Sequence, residues 1–292
     1  MLKIFVDTDC DVTPAIAKEY GFSLISMPYV EDEKVIKPYE DWETFEPHPF
    51  YERLRQGKLA STCALSPTDY IRYFEPVFAA GDDILYPHFS SAMTSTFNAM
   101  RLALEELKEK YPERKFYEID TKHITIPALL MIMEIGKLYK NGATAEEIVE
   151  WCAKEDDHFA VYFFADDLKF FARSGRVSGI SATMGNLLGI KPIININAEG
   201  KMGSIGKAKG RKNSIEKLLD YVEALQDDMK NYPVLVASTD CDDLAKKLID
   251  RFVERFGEGY DIRVIPINPT AGAHCGPDST GIAFHAKARE IA

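Results

Sequence analysis

The chain of 292 residues is 46% hydrophobic, 28% charged and 11% aromatic, a composition that excludes a disordered, collagenous or disulfide-stapled protein. At roughly 150 residues per domain the length predicts two domains, each able to bury a core without metal or crosslinks. Lys and Arg total 35 against 46 Asp and Glu, a formal charge of −11, so the average surface repels a phosphate backbone and nucleic acid is not an expected partner.

Leu2 to Val6 is a short apolar run that ends in Asp7-Thr8-Asp9-Cys10-Asp11, with a helical stretch from Thr13 to Tyr20: strand, polar loop, helix. The pattern recurs. Ile84 to Phe89 leads into Ser90-Ser91, after which Met93, Phe97, Met100, Leu104 and Leu107 place one apolar face on a helix. Phe116 to Ile119 then runs into Asp120-Thr121 ahead of an apolar segment from Ile124 to Tyr139, and Thr144 with Glu147 makes a capping box for the next helix. Three strand-then-helix units predict a parallel sheet, whose ligands sit outside the carboxyl ends of the strands, near Asp7-Thr8, Ser90-Ser91 and Asp120-Thr121. Ile126 to Met133, the most apolar stretch, is interrupted by Glu134 and Lys137, and Asp7 comes too early for a secretory apolar segment, so no membrane span is expected.

From about Phe159 the texture changes. Ala160 to Ala165 and Pro192 to Asn197 read as strands, Asp166 to Ala172 as a short helix, and Ala198 to Lys201 as a hairpin turn. Ser214 to Met229 and Leu244 to Phe256 are helical by spacing, with a strand at Val234 to Ala237. The predicted fold is therefore α/β in two domains, residues 1–156 with a mostly parallel sheet flanked by helices and 157–292 with a mixed sheet.

Five scattered cysteines without C-x-x-C spacing point to reduced thiols in cytoplasm, and the absence of H-E-x-x-H or EF-hand spacing announces no metal. Hydroxyls crowd two loops, Ser61, Thr62 and Ser66, then Ser90, Ser91 and Thr94 to Thr96. A carboxylate or phosphate could be held there by hydroxyl and helix N-terminal donors, although pattern alone favours reading the same groups as N-caps. Asp9-Cys10-Asp11-Val12-Thr13 fits the D-x-D-x-T signature of haloacid-dehalogenase-like phosphatases, and Asp166-Asp167 resembles their metal-binding pair. An alternative is thus a Mg-dependent phosphatase with Asp9 as nucleophile, against the plainer reading that Asp7, Asp9 or Asp11 caps the next helix. His274 sits in a Gly-rich segment, Ala271 to Pro277, read as a loop, and Arg173 to Arg176 and Lys207 to Lys212 are the dense basic clusters of an acidic chain.

Six separated segments carry a resemblance: Asp7 to Asp11, Thr62 to Pro67 (TCALSP), Ser90 to Phe97 (SSAMTSTF), Asp166 to Ser178 (DDLKFFARSGRVS), Asn186 to Pro192 (NLLGIKP) and Gly272 to Pro277 (GAHCGP). In this order they resemble motifs of the DegV family of fatty-acid-binding proteins, over Val6 to about Phe284. The resemblance implies two α/β domains with an acyl tunnel between them. In bacteria it also implies a carrier subunit, without cofactor or ATP site, that presents a palmitate-like or oleate-like acid to a separate ATP-binding kinase subunit for conversion to acyl phosphate. It further implies that Thr62 and Thr94 hold the carboxylate, Thr94 standing for the family's usual Ser, while Arg176 and His274 present it to the kinase and Lys207 to Lys212 contribute to docking. Cys63-Ala64-Leu65, Ser95 and Ser174 depart from the family pattern around the mouth.

Overall fold

The computed structural model describes residues 1–178 and 189–291. In chain order the first elements are β1 (Leu2–Asp7), α1 (Pro14–Tyr20), β2 (Ser23–Ile25), β3 (Tyr29–Glu31), β4 (Lys34–Ile36), α2 (Pro38–Asp41) and α3 (His48–Arg55). They are followed by β5 (Ala60–Thr62), α4 (Pro67–Ala79), β6 (Asp83–His88), α5 (Thr96–Lys110), β7 (Phe116–Asp120), α6 (Ile126–Lys140) and α7 (Ala145–Glu155). The remainder comprises β8 (Phe159–Phe164), α8 (Lys169–Ser174), β9 (Val177–Ser178), β10 (Ile190–Ile196), β11 (Met202–Lys209) and α9 (Gly210–Leu225), then β12 (Val234–Ser238), α10 (Asp242–Phe256), β13 (Ile262–Pro266), α11 (Pro269–Cys275) and β14 (Thr280–His285).

The predicted parallel sheet is present, four strands in the order β2-β1-β6-β7 with every pair parallel. Ile4, Phe5 and Val6 are all buried, the unbroken apolar run of a strand covered on both faces. Around it the helix ends carry their own signals. The Thr13 hydroxyl accepts from the Ile16 amide at 3.3 Å with Pro14 in the first turn, and the Thr144–Glu147 capping box closes as the sequence predicts.

Strands from Phe159 onward form a mixed seven-stranded sheet, β13-β12-β14-β8-β10-β11-β9. The β10–β11 hairpin turns where expected, with Asn197 Oδ1 accepting from the Glu199 and Lys201 amides at 3.1 and 2.9 Å. Helix α6 packs against β8, β12 and β14 on one side and against the turn after β1 on another, which accounts for ten buried residues and an apolar sequence with little polar face.

Four expectations shift. A three-stranded antiparallel sheet, β4-β3-β5, was not anticipated; its strands are three residues each, too short to show a period. Helix α5 starts at Thr96 instead of Met93, because Ser91–Met93 close a 3₁₀ turn and Thr94 is extended. Helix α9 begins at Gly210 and stops at Leu225 instead of Met229, and Gln226 bridges Ala286. His274 lies in the last turn of a short helix, α11, where the sequence reads as a loop; Gly272 permits this because a Cβ there would stand 2.6 Å from the Tyr51 hydroxyl.

Buried polar bonds stitch the early segments to α11. Asp11 Oδ1 accepts from both the backbone amide and the side-chain amide of Asn268, at 2.9 and 2.8 Å, and Asn268 in turn caps α11. Thr270 donates to the Met27 carbonyl at 3.0 Å and Tyr51 to the Ile267 carbonyl at 2.8 Å. Burial pushes the Asp11 carboxyl up to about 7, with the Asn268 bonds opposing. Between the ordinary carboxylate range and pH 7 the folded chain therefore keeps a proton that the unfolded chain has released, so this group's contribution to stability is largest in acid and is lost as pH rises through about 7. Asp11→Asn should flatten that dependence: the fall in Tm from pH 5 to pH 8 is expected to be smaller than in wild type by several degrees, and parallel profiles would contradict the assignment.

Candidate ligand-binding site

A cavity of about 260 Å³ lies beyond the carboxyl ends of β1 and β6, bounded on its other side by the seven-stranded sheet and α11. A water occupies about 10–15 Å³ by the same measure, so the space holds a molecule of many atoms. Its walls are mainly apolar: Met27, Phe89 and Ile126 on one side, Val161, Phe163, Phe171 and Ile196 on the other. Several hydroxyl residues also line it, but their polar atoms are spent on backbone. Thr270 donates to Met27 O, Thr280 to Ala237 O at 2.8 Å, Thr239 to Ser279 O at 3.2 Å and Ser279 to Cys275 O at 3.1 Å. Internal donation satisfies these groups without a ligand and leaves their carbon atoms free to form apolar wall.

All four candidate site residues, Thr62, Thr94, Arg176 and His274, line this one cavity. They come from the end of β5, the extended link before α5, the turn after α8 and the end of α11. Thr62 Oγ1 and His274 Nε2 are hydrogen-bonded at 3.1 Å. Thr94 Oγ1 accepts from the Thr96 amide at 3.1 Å, which leaves its proton available to an acceptor in the cavity. Cys63, Ala64, Ser95 and Arg176 are exposed, and they mark the side where the cavity opens.

The electrostatics of this mouth are specific. Burial, reinforced by the positive charges of Arg176 and Arg173, lowers His274 to about 4, so its imidazole is neutral at physiological pH. Arg176 bonds the Ser174 carbonyl at 2.5 Å and Arg173 the Ala60 carbonyl; neither has a carboxylate partner among the described residues. The mouth therefore combines neutral hydrogen-bonding groups with uncompensated positive potential, suited to an anionic head on an apolar body.

The strand ends named from sequence play a supporting part. Ser90 donates to the Gly200 carbonyl at 2.8 Å and Thr121 to the His88 carbonyl at 2.8 Å, and Asp7 accepts from the Phe89 amide at 3.0 Å, so these residues hold loops whose neighbours line the cavity. Sequence reasoning missed Asp9 and Thr125 as cavity residues; Asp9 reads as a cap or a nucleophile, and only the folded loop shows which side it faces. Asp7 takes the capping part, accepting from the Asp9 amide at 3.1 Å.

The phosphatase alternative is not supported by the arrangement of its acids: Asp9 lines the cavity and Asp166 does not. Burial, with Asp7 and Asp11 adding repulsion, holds the Asp9 carboxyl well above the carboxylate range. Asp166, which that reading needs beside a metal, is paired with Lys191 at 2.5 Å and with Arg211 at 2.9 Å. The same pair partly neutralises the basic run from Lys207 to Lys212. Of the Asn186 to Pro192 motif, residues 186–188 lie outside the described residues.

The fold and cavity thus define an α/β protein of three sheets with an apolar chamber and a hydroxyl-bearing, electropositive mouth. The sequence matches the profile of the DegV family, described as uncharacterised proteins, over residues 1–287, and the chain belongs to this family. A DegV domain-containing protein of Clostridium perfringens is 29% identical over 288 residues, covering 98% of each chain. Among solved structures, a stearic-acid-binding protein from Eubacterium ventriosum superposes with a TM-score of 0.87 at 18% identity, covering 98% of this chain and 99% of the other. A fatty-acid-binding DegV family protein from Thermus thermophilus gives 0.83 at 22% identity, with the same coverage. At these identities the structural likeness establishes the fold. None of the helices among the described residues is long and apolar enough to cross a membrane.

His274 offers a direct check on the mouth. Its imidazole resonances are expected to show the neutral form down to about pH 4 in an NMR titration; protonation near pH 6.5 would contradict the buried, cation-flanked setting.

Proposed function

We propose that this chain binds a long-chain fatty acid, with the alkyl tail in the cavity and the carboxylate held by Thr62 and Thr94, and that it presents the head to a separate ATP-dependent kinase subunit. The observation that carries the reading is the meeting of Thr62, Thr94 and His274 on the wall of one largely apolar chamber. The stearic-acid-binding and fatty-acid-binding relatives that share its fold support it.

The energetics suit such a ligand. Burying a methylene contributes about 0.8 kcal/mol, so a dozen contribute on the order of 10 kcal/mol, comparable to the roughly 4–15 kcal/mol lost in immobilising the ligand. The tail supplies affinity and the hydroxyls fix orientation. Hydroxyl donors also leave the carboxylate oxygens more nucleophilic than a buried Lys would, which suits a head that must attack a phosphoryl group. In that transfer a carboxylate oxygen forms a bond to the γ-phosphorus of ATP as the bond to the ADP oxygen breaks, giving acyl phosphate. Arg176, exposed and without a carboxylate partner among the described residues, is assigned to the encounter with the kinase or to the developing charge, and the exposed Lys207 and Lys209 to docking. We read residues 1–156 and 157–292 as the two domains that enclose the tail, and the protein as a cytoplasmic carrier with no catalytic centre of its own.

Two sets of variants test the parts separately. In calorimetric titrations with palmitate and oleate, Thr62→Val combined with Thr94→Val should weaken binding by about tenfold or more, the range for a hydrogen bond to a charged group. Unchanged affinity would remove these hydroxyls from the head site. Arg176→Ala is expected to bind fatty acid as tightly as wild type within a factor of a few, yet to slow kinase-dependent formation of acyl phosphate; equal turnover would refute its part in transfer.

A further inference from the structure

Asp9 is out of place in a chamber built for a plain alkyl chain. Asp9 lines the cavity and is only 4% exposed, yet no hydrogen bond reaches its carboxyl among the described residues; Oδ1 is buried without a partner, as are Oδ2 of Asp11 and the hydroxyl of Tyr39 near it. The contrast with the other polar wall residues is informative. Thr239, Thr270, Ser279 and Thr280 all discharge their hydroxyls onto backbone carbonyls, so the fold has the means to silence a polar group here and leaves this one unsilenced.

A second polar group stands beside it. The Thr125 amide donates to the Asp9 carbonyl at 2.7 Å, and Thr125 also lines the cavity. Its hydroxyl does not cap the helix it precedes, and its backbone sits at φ 60, a region that a β-branched residue occupies only under constraint. Burial and the neighbouring Asp7 and Asp11 keep the proton on Asp9, so the carboxyl offers one donor and one acceptor. A methylene passing this point would leave the Asp9 carboxyl and the Thr125 hydroxyl unmatched, whereas an alcohol can give one hydrogen bond and take another between them.

We propose that the cavity accepts an acyl ligand carrying a hydroxyl group along its chain, with that hydroxyl paired to Asp9 and Thr125. The proposal rests on the fatty-acid reading above and narrows its substrate class. It is tested by titrating the wild-type protein with stearate and with a series of hydroxystearates that differ in the position of the hydroxyl. One positional isomer is expected to bind roughly tenfold tighter than stearate. Asp9→Val should reverse the order, tightening stearate and weakening that isomer, and Thr125→Ala should reduce the isomer's advantage. Stearate binding as tightly as every isomer, or tighter, overturns the proposal while leaving fatty-acid binding in place; failure of stearate and all isomers to bind overturns both. The wild-type series decides the matter even if Asp9→Val does not fold.

Discussion

Much of the site hangs on one buried contact, the Asp11 carboxyl gripping both amides of Asn268. Asp11 closes the turn after β1, and Asn268 caps the helix that ends in His274. The contact therefore ties the carboxyl end of the parallel sheet to the helix at the cavity mouth. With the bonds from Thr270 and Tyr51 it sets the separation across which the cavity exists. Close packing reinforces it: a Cβ on Gly276, whose φ is +72, would lie 2.2 Å from the Phe170 ring, so α11 can approach α8 only with glycine there.

The same economy governs polarity. The hydroxyls of Thr239, Thr270, Ser279 and Thr280 donate to backbone carbonyls, His274 is kept neutral by burial beside two arginines, and the arginines keep to carbonyl partners. A chamber arranged in this way suits an apolar body, by exclusion of water, and the proposed acid head, by neutral donors within a positive field. It does so without burying an ion pair, whose desolvation would offset much of its attraction.

The alternation of strand and helix around β1, β6 and β7 was legible because each apolar run there is closed by polar residues and followed by a helical stretch, as was the hairpin at Asn197 to Lys201, whose turn chemistry is local. Thr62, Thr94, Arg176 and His274 were found through family motifs, since no periodicity distinguishes them, and the cavity's assembly from four distant segments is invisible to local pattern. The small β3–β4–β5 sheet and helix α11 escaped for a different reason. Each is short and rests on tertiary support, the helix on Asn268 and on the packing of Gly272 against Tyr51. Asp9 was visible but misread, because an Asp just after a strand looks the same whether it caps, attacks or faces a cavity.

The most direct test of the account is the mass of whatever the protein carries when purified from cells under non-denaturing conditions, measured by native mass spectrometry and confirmed after extraction. The account predicts one long-chain acyl acid per chain, lost or depleted when Thr62 and Thr94 are both replaced by Val. Protein that emerges empty and takes up no added long-chain acid would contradict it.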